Sequence, residues 1–363
     1  MCTMLYTGDI MNRHSFLYRR FFLAAFLFAF VFFIPSTAFA ADGSLNLITS
    51  PLPINLITTP GSSVSTPIKI KNGGTDTEQI KITLMKFKAY QSNGQPQLMD
   101  PEPTDEFLKW ASFSEDTFTA SPDEWKTITA TFTVPQDAAF GYYYAIVFSR
   151  ANEEKPTDSK QTAVVGGTAV LVLLEARVPH AERSIEVTEF STDKQMYEFL
   201  PTTFTVKLKN TGNVHVAPRG NIFINKGSEH DIALLEINAN KGSILPDSTR
   251  DFNEPWSDGF PVYVEKKQDG KVVLDEAGNQ VMELKWDFGQ ASKLRWGKYT
   301  AKLLLIYDDG QRDVPIEGEV SFWVVPWRLI VYGIAIPVIP ALFVYLFMKW
   351  KMKKNLKRSE KNS

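Results

Sequence analysis

Cysteine is almost absent from this chain of 363 residues, since the only one is Cys2. Cys2 lies in a segment with the pattern of a removable leader, so the mature chain is expected to contain no thiol. That excludes disulfide bonds, thiolate chemistry and a cysteine zinc site. We therefore expect the protein to be stabilised by its hydrophobic cores alone.

Residues that carry catalytic or metal chemistry are also scarce. Outside the leader only His180, His215 and His230 occur, far apart and without a Cys, His or Asp at ligand spacing. No Gly-x-Ser-x-Gly motif is present, and Gly166-Gly167 is not followed by the Gly-Lys-Ser of a phosphate loop. Asp308-Asp309-Gly310 favours a hairpin turn over a calcium site. The sequence predicts a non-enzyme without a metal or cofactor.

Basic charge is deficient in the middle of the chain, although the net charge of −2 hides this. Residues 41–348 carry 29 basic and 39 acidic side chains. A nucleic-acid surface needs a basic stripe to bind phosphates. We therefore expect no nucleic acid as a partner.

The N-terminal segment has the features of a secretory signal peptide. Arg19 and Arg20 precede the apolar run Phe21–Ile34, and Ala38-Phe39-Ala40 supplies small residues for cleavage. We assign residues 1–40 to the signal peptide, with Met11 as an alternative start to Met1. An uncleaved anchor is the alternative, although 14 apolar residues are few for a membrane span.

The second long apolar run, Leu329–Met348, predicts a transmembrane helix. It has 20 residues without a charge, which at about 1.5 Å per residue is enough to cross about 30 Å of hydrocarbon. Trp327 and Trp350 flank it as interfacial aromatics do, and the basic tail 349–363 indicates the cytoplasmic side. We expect a single-pass cell-membrane protein whose N-terminal domains are extracellular and whose C-terminus is cytoplasmic.

The outer part of the chain shows the period of β-strands. Ile128–Val134 and Phe204–Lys209 alternate apolar and polar residues, whereas Thr168–Leu174 is continuously apolar, as a central strand is. Helical periodicity is nearly absent. This pattern predicts an all-β ectodomain.

Two short motifs recur in the same order and suggest an internal duplication. The strand Ile68–Gly74 matches Val206–Gly212, each ending in Asn-x-Gly, and Gly141–Val147 matches Gly297–Leu303. Asn and Gly tolerate the backbone conformations of a turn. We predict two tandem immunoglobulin-like β-sandwiches plus one C-terminal transmembrane helix.

The domain limits follow from a polar, proline-containing stretch at Val178–Arg183. We place the first sandwich at residues 41–178 and the second at 184–325. Each contains a long excursion, Gln91–Glu124 in the first and Ser257–Lys293 in the second. Both proposed domains have an ordinary size.

Six aromatic residues in or beside these excursions are candidates for a binding surface. Loops on a rigid sandwich are common places for binding residues. The alternative is that the rings pack over the open ends of the sandwiches, and the sequence favours packing. The six residues are Trp110, Phe113, Phe118, Trp256, Phe260 and Tyr263.

These features together resemble the WxL-interacting protein family of Gram-positive cell surfaces. The resemblance rests on Pro60-Gly61, Ile68–Gly74, Thr127–Pro135 followed by Gly141-Tyr142-Tyr143, and Asn210–His215. It implies a surface binding protein whose partners are peptidoglycan or another cell-wall polymer, and other surface proteins. A scaffold or chaperone-like protein that binds partners by strand addition is the alternative.

Overall fold

A computed structural model describes residues 45–152, 166–275 and 277–360 of the chain. The signal peptide assigned to residues 1–40 lies outside the described residues. The described chain is mostly β-strand and ends in one long helix. The expectation of a mainly β protein with a single C-terminal apolar helix is thus confirmed.

The first ten strands form two sheets that enclose one core. In one sheet the strand order is β1-β3-β8-β6, and in the other it is β2-β10-β9-β4-β5, with β7 also paired to β4. We call this pair of sheets the first sandwich. Its strands are β1 (Leu47–Ser50), β2 (Ile54–Thr58), β3 (Ser63–Asn72), β4 (Glu78–Tyr90), β5 (Gln95–Met99), β6 (Ala111–Phe113), β7 (Thr117–Ala120), β8 (Trp125–Thr133), β9 (Phe140–Arg150) and β10 (Thr168–Ala176).

The remaining strands form a second pair of sheets, the second sandwich, and two small hairpin-like sheets. The strand orders are β11-β13-β16 and β12-β22-β21-β14-β15, with β17 paired to β20 and β18 to β19 in the excursion. The strands are β11 (Ile185–Thr192), β12 (Met196–Tyr197), β13 (Thr202–Asn210), β14 (Arg219–Lys226), β15 (Glu229–Ile237), β16 (Thr249–Trp256), β17 (Val262–Glu265), β18 (Lys267–Gln268), β19 (Lys271–Val272), β20 (Met282–Lys285), β21 (Gly297–Asp308) and β22 (Asp313–Val324).

The two sandwiches share one connectivity. In the first, β2 runs parallel to β10, which pairs with β9, then β4, then β5. In the second, β12 runs parallel to β22, which pairs with β21, then β14, then β15. Each sandwich also has a separate cluster of buried apolar side chains drawn from both of its sheets.

The first repeated motif has the same geometry in both copies. The side-chain amide of Asn72 donates to the carbonyls of Asp76 and Ala120, at 2.7 and 2.9 Å, and its oxygen accepts from Gly74. Asn210 makes the equivalent three bonds, to Val214, Ile244 and Gly212. Both asparagines are buried, so each satisfies main-chain groups that would otherwise lack partners.

The second repeated motif is matched one residue out of register in the sequence. That match aligns Tyr143 with Tyr299. Tyr144 and Tyr299 are both buried in their cores, whereas Tyr143 lies on the opposite face of β9. Side chains alternate between faces, so a slip of one residue exchanges them. The structural counterpart of Tyr299 is therefore Tyr144, and the sequence alignment is wrong at this point.

The C-terminal helix α1 (Trp327–Glu360) is longer than the predicted span. Residues 327–352 of it are long and apolar enough to cross a membrane, and Pro337 and Pro340 lie inside it. The basic tail, predicted as a segment separate from the span, continues the same helix to Glu360. A helix propagates readily through Lys and Arg, which are good helix formers.

Candidate functional site

The six predicted aromatic residues are packed into or against the protein. Phe118, Trp256 and Phe260 are buried, at 4%, 1% and 8% exposure. Their rings could reach a partner only if the packing around them opened. The aromatic side chains carry the largest apolar area in their loops, and burying that area is favourable.

The other three candidates are half-buried. Trp110 and Phe113 pack against the first core, and the ring of Trp110 meets that of Tyr142 edge-on at 4.6 Å between centroids. Tyr263 lies beside Phe199, with centroids 6.3 Å apart. The packing alternative thus describes these residues too, and the structure does not bring the six into one surface patch.

A more open feature is the free edge of β22. β21 pairs with β22 along its full length, but on the other side β12 pairs only with Trp323 and Val324. Strand β11 lies alongside β22 without pairing to it. On the side away from β21, the ten residues Asp313–Phe322 therefore have no strand partner among the described residues.

One hydrogen bond shows which main-chain N–H and C=O groups of β22 point away from β21. The N–H of Trp323 donates to the carbonyl of Gln195, on the side away from β21. Bonding direction alternates along a strand, so the N–H and C=O groups of Glu317, Glu319 and Ser321 face the same way. Within the described residues these groups have no backbone partner. Pro315 sits on this edge, where a missing N–H costs no pairing.

The core-facing side chains of β22 are less buried along the unpaired edge than beside β12. Phe322 and Val324, next to β12, are fully buried. Further from β12, Val314, Ile316 and Val320 are only half-buried, although they point into the sandwich. The open edge therefore exposes part of an apolar row as well as unpaired main-chain groups.

The outer face beside the edge is polar. Glu317 and Glu319 are exposed, and neither carboxylate pairs with a cation among the described residues. A shallow groove of about 610 Å³ runs over this face and is lined by these two residues together with Lys302 and Asp231. Exposed glutamates on an edge disfavour indiscriminate pairing with other edges. They also favour a partner strand that carries basic residues.

A second concave feature is an apolar cleft between the two sandwiches. It has a volume of about 330 Å³, and its lining includes Phe87 and Leu171 from the first sandwich and Leu245 and Arg250 from the second. Leu245 packs in a cluster with Met85, Phe87 and Leu173 on the outer face of the first sandwich. The cleft is thus the incompletely filled part of an interface.

Polar contacts bracket this interface. Ser92 donates through its hydroxyl to Asp251 at 2.5 Å, and the Asp251 N–H donates to the Ser92 carbonyl at 2.7 Å. Arg250 donates to the Ser243 carbonyl, and its partial burial lowers the pKa of its guanidinium. The Ser92–Asp251 bonds therefore join the two sandwiches, whereas the Arg250–Ser243 bond lies within the second.

A buried polar group lies at the other end of the interface. Arg183 binds the buried carboxylate of Glu175 through both oxygens, at 2.5 and 2.6 Å. Nearby, burial lowers the pKa of His215 to about 4, and the ring of His215 meets that of Tyr143 at 5.8 Å between centroids. His215 is therefore neutral at pH 7 and acts as a packing residue. The described residues contain no cluster of His, Cys, Asp or Glu that could hold a metal ion.

The sequence did not reveal the open edge of β22 or the interface. The edge exists because β22 extends ten residues beyond the two that β12 pairs, which depends on strand pairing rather than on the composition of β22. One available signal was Pro315 with Glu317 and Glu319 in an otherwise alternating strand, a pattern typical of sheet edges.

No protein-family model matches the chain, and no curated protein matches it. Solved structures that are similar include the class 5 fimbriae chaperone CfaA, at 17% identity over 67% of this chain and 100% of that one, with a TM-score of 0.33. The Pseudomonas aeruginosa CupB2 chaperone is 9% identical over 76% of this chain and 100% of that one, with a TM-score of 0.31. The Escherichia coli chaperone DraB is 12% identical over 76% and 99%, with a TM-score of 0.31. At these values the similarity supports no argument about partners.

Proposed function

We propose that the protein is a non-catalytic, membrane-anchored scaffold that binds an extended segment of another surface protein by strand addition to β22. The unpaired edge Asp313–Phe322 is the observation that carries the proposal. A strand added there would bond to the main-chain groups of Glu317, Glu319 and Ser321. It would also cover the half-buried row of Val314, Ile316 and Val320.

The edge defines the chemistry of the partner. One face of an added strand meets the apolar row, and the other meets the exposed carboxylates of Glu317 and Glu319. Side chains of a strand alternate between faces, so the partner segment should alternate apolar and basic residues. Ten residues of edge accommodate a segment of roughly 30 Å at about 3.3 Å per residue.

Two matched peptides test the proposal on the full-length protein in detergent. One peptide has ten residues in which Val and Lys alternate, and the other has the same composition in scrambled order. We expect saturable binding of the alternating peptide only. On binding, the amide hydrogens of Glu317 and Glu319 should exchange more slowly.

Glu319→Pro and Glu319→Gln separate main-chain pairing from charge. Both remove the carboxylate, but only proline removes the outward N–H and places a ring on the edge. We expect Glu319→Pro to weaken peptide binding at least about tenfold and Glu319→Gln to weaken it less than about threefold. Equal binding of the two peptides, or an unchanged affinity in Glu319→Pro, would refute strand addition.

The location of the protein is part of the same proposal. We infer that α1 anchors the chain in the cell membrane, with the basic C-terminal residues in the cytoplasm and both sandwiches outside. Residues 327–352 of α1 supply the span. Lysines after a span favour the cytoplasmic side. The signal peptide, the two immunoglobulin-like domains 41–178 and 184–325, and membership of the WxL-interacting family are retained as parts of this proposal.

Attachment to peptidoglycan or another cell-wall polymer rests on the family resemblance alone. Sugar polymers are commonly bound by exposed aromatic faces, yet Phe118, Trp256 and Phe260 are buried. We therefore place a protein partner first. Exposed tryptophans such as Trp125 and Trp296 lie outside that predicted set, and it is the unpaired edge of β22 that favours a protein partner.

A further inference from the structure

Exposed aromatic residues gather at one end of the second sandwich. Of the six tryptophans that are exposed, only Trp125 lies in the first sandwich, and Trp350 lies on α1 beyond the apolar run. We call the exposed side chains at this end the aromatic rim. The aromatic rim consists of Trp286, Phe288, Leu294, Trp296, Trp323 and Trp327.

Strand register places part of this rim beside the start of α1. Trp296 directly precedes Gly297, whose partner on β22 is Val324. Trp323 is the neighbouring residue on β22, and α1 begins only three residues after Val324, at Trp327. The indoles of Trp296, Trp323 and Trp327 therefore belong to the end of the sandwich from which the helix leaves.

The excursion brings Trp286 and Phe288 to the same end. Their rings stack with centroids 6.2 Å apart, and both lie near Phe260, whose N–H donates to the carbonyl of Lys293. Lys293 is three residues from Trp296. The excursion is thus tied to the strand that carries the rim.

A second set of contacts links the excursion to α1 itself. The ring of Trp286 also meets Phe199 at 6.3 Å between centroids. Beside Phe199, Glu198 forms an ion pair with Arg328 on α1 at 3.4 Å. The rim therefore has two independent connections to the first turn of the helix.

Cations accompany the rim. Lys226 Nζ lies 5.1 Å from the ring centre of Trp296, and the Arg328 guanidinium lies 5.3 Å from that of Trp327. Tryptophan with adjacent Lys or Arg is the composition of the membrane–water interface, where an indole is half in the apolar region and a cation contacts lipid headgroups. Phe288, 74% exposed, has no such reason to face water.

We infer that the aromatic rim is a lipid-binding surface, which docks the second sandwich onto the headgroup region of the membrane that α1 enters. The inference rests on the proposed membrane anchoring but not on strand addition. It fixes the second sandwich relative to the membrane plane, since a surface and a helix hold it together. The open edge of β22 would then lie within about 40 Å of the lipid, the length of twelve strand residues.

Spin-label depth measurements on the full chain test this. The protein, with Cys2→Ser, is reconstituted in vesicles of phosphatidylcholine and phosphatidylglycerol, and a nitroxide is attached through Phe288→Cys. Ile57→Cys, an exposed apolar position in the first sandwich, is the control, and Leu342→Cys on α1 is the lipid reference. We expect the oxygen-to-nickel accessibility ratio at 288 to exceed that at 57 by at least about threefold.

The reference label separates the two ways of failing. If the label at 342 is in lipid and that at 288 is as water-accessible as that at 57, rim docking is wrong and the anchor stands. If the label at 342 is in water, both the proposed membrane anchor and the proposed docking are wrong. Strand addition remains testable by the peptides in either case.

A second measurement leaves Phe288 intact. In vesicles that contain brominated lipid, Trp296→Ser should reduce the fraction of tryptophan fluorescence that is quenched, because a quenched indole has been removed. Trp125→Ser should raise that fraction, because an unquenched indole has been removed. The same direction of change in both variants would contradict the proposed docking.

Discussion

The last strands of the two sandwiches, β10 and β22, occupy the same place in the same connectivity. They differ in how fully their core-facing side chains are buried and in how much of each strand is paired on both sides. Four of the five residues on the core-facing side of β10 are fully buried, namely Val170, Val172, Leu174 and Ala176. In β22, Val314, Ile316 and Val320 at the corresponding face remain half-buried. β2 pairs with five residues of β10, whereas β12 pairs with two residues of β22.

β22 extends ten residues beyond the part that β12 pairs, whereas β10 extends only four residues, 168–171, beyond the part that β2 pairs. The open edge therefore depends on how far the last strand continues past its short parallel neighbour. The topology is duplicated, and the buried asparagines Asn72 and Asn210 perform the same task in both copies. In the first sandwich the core face of the last strand is largely covered. The second carries the open edge, the aromatic rim and the helix.

The largest expected effect tests the shared part of the comparison. Asn72→Ala and Asn210→Ala each leave two buried carbonyls and one N–H without a partner, which should destabilise the fold by about 3 kcal/mol in either copy. Asn253→Ala, at an exposed position, should cost less than about 1 kcal/mol. Urea unfolding in detergent measures all three. A loss confined to one of the two buried asparagines would mean that the copies are not equivalent.

His215, which lies where the two sandwiches meet, should make the free energy of unfolding depend on pH. Its pKa is about 6.5 when unfolded and about 4 when folded, because burial disfavours the imidazolium. The unfolded state therefore binds the proton first, so stability falls as the pH drops from about 6.5 to about 4. The loss is at most about 3 kcal/mol.

His215→Phe should remove that part of the pH dependence. The measurement is the difference between wild type and His215→Phe in the free energy of unfolding at pH 7 and at pH 4.5. A difference that does not change between the two pH values would show that His215 is accessible to protons in the folded protein.

Matched valines test the contrast in burial directly. Val170 on β10 pairs with Ile146, and Val320 on β22 pairs with Ala301, at equivalent places in the two ladders. Val170→Ala should cost about 2 kcal/mol, since it opens a space in a closed core. Val320→Ala should cost about 1 kcal/mol or less. Equal losses in denaturant unfolding would argue that the edge of β22 is covered in solution.

The smallest expected effect on stability belongs to Glu319→Pro. Because the N–H of Glu319 faces away from β21, its removal should change the free energy of unfolding by less than about 1 kcal/mol. Val320→Pro removes an N–H that bonds to β21 and should cost about 3 kcal/mol. Thermal unfolding compares them. Similar losses would show that the bonding direction along β22 is reversed.

Much of the fold follows from the sequence, for identifiable reasons. Period-two alternation predicts the strands, and the Asn-x-Gly pair predicts the duplication because both asparagines bond to main-chain groups within their own turn. Asp309 and Gly310 lie, as predicted, in the turn between β21 and β22, where Gly310 has a φ of +97°. These are local properties, set by residues close together in the chain.

Features that depend on distant contacts could not be read in this way. The register of Tyr143 and Tyr144 is fixed by pairing with β10 and β4, so aligning identical letters gave the wrong face. Aromatic residues in loops look alike whether they are packed, as Trp256 is, or exposed, as Trp296 is. An open edge depends on the strand that is missing beside it.

Amide hydrogen exchange along β22, compared with β10, tests the open edge most directly. In the full-length protein in detergent micelles, the N–H groups of Glu317, Glu319 and Ser321 should exchange rapidly, while those of Ile316, Gly318 and Val320, bonded to β21, should be protected. Along residues 172–176 of β10, which have partners on both sides, every N–H should be protected. Protection of Glu317, Glu319 and Ser321 equal to that of their neighbours would contradict an open edge and remove the basis of the proposed function.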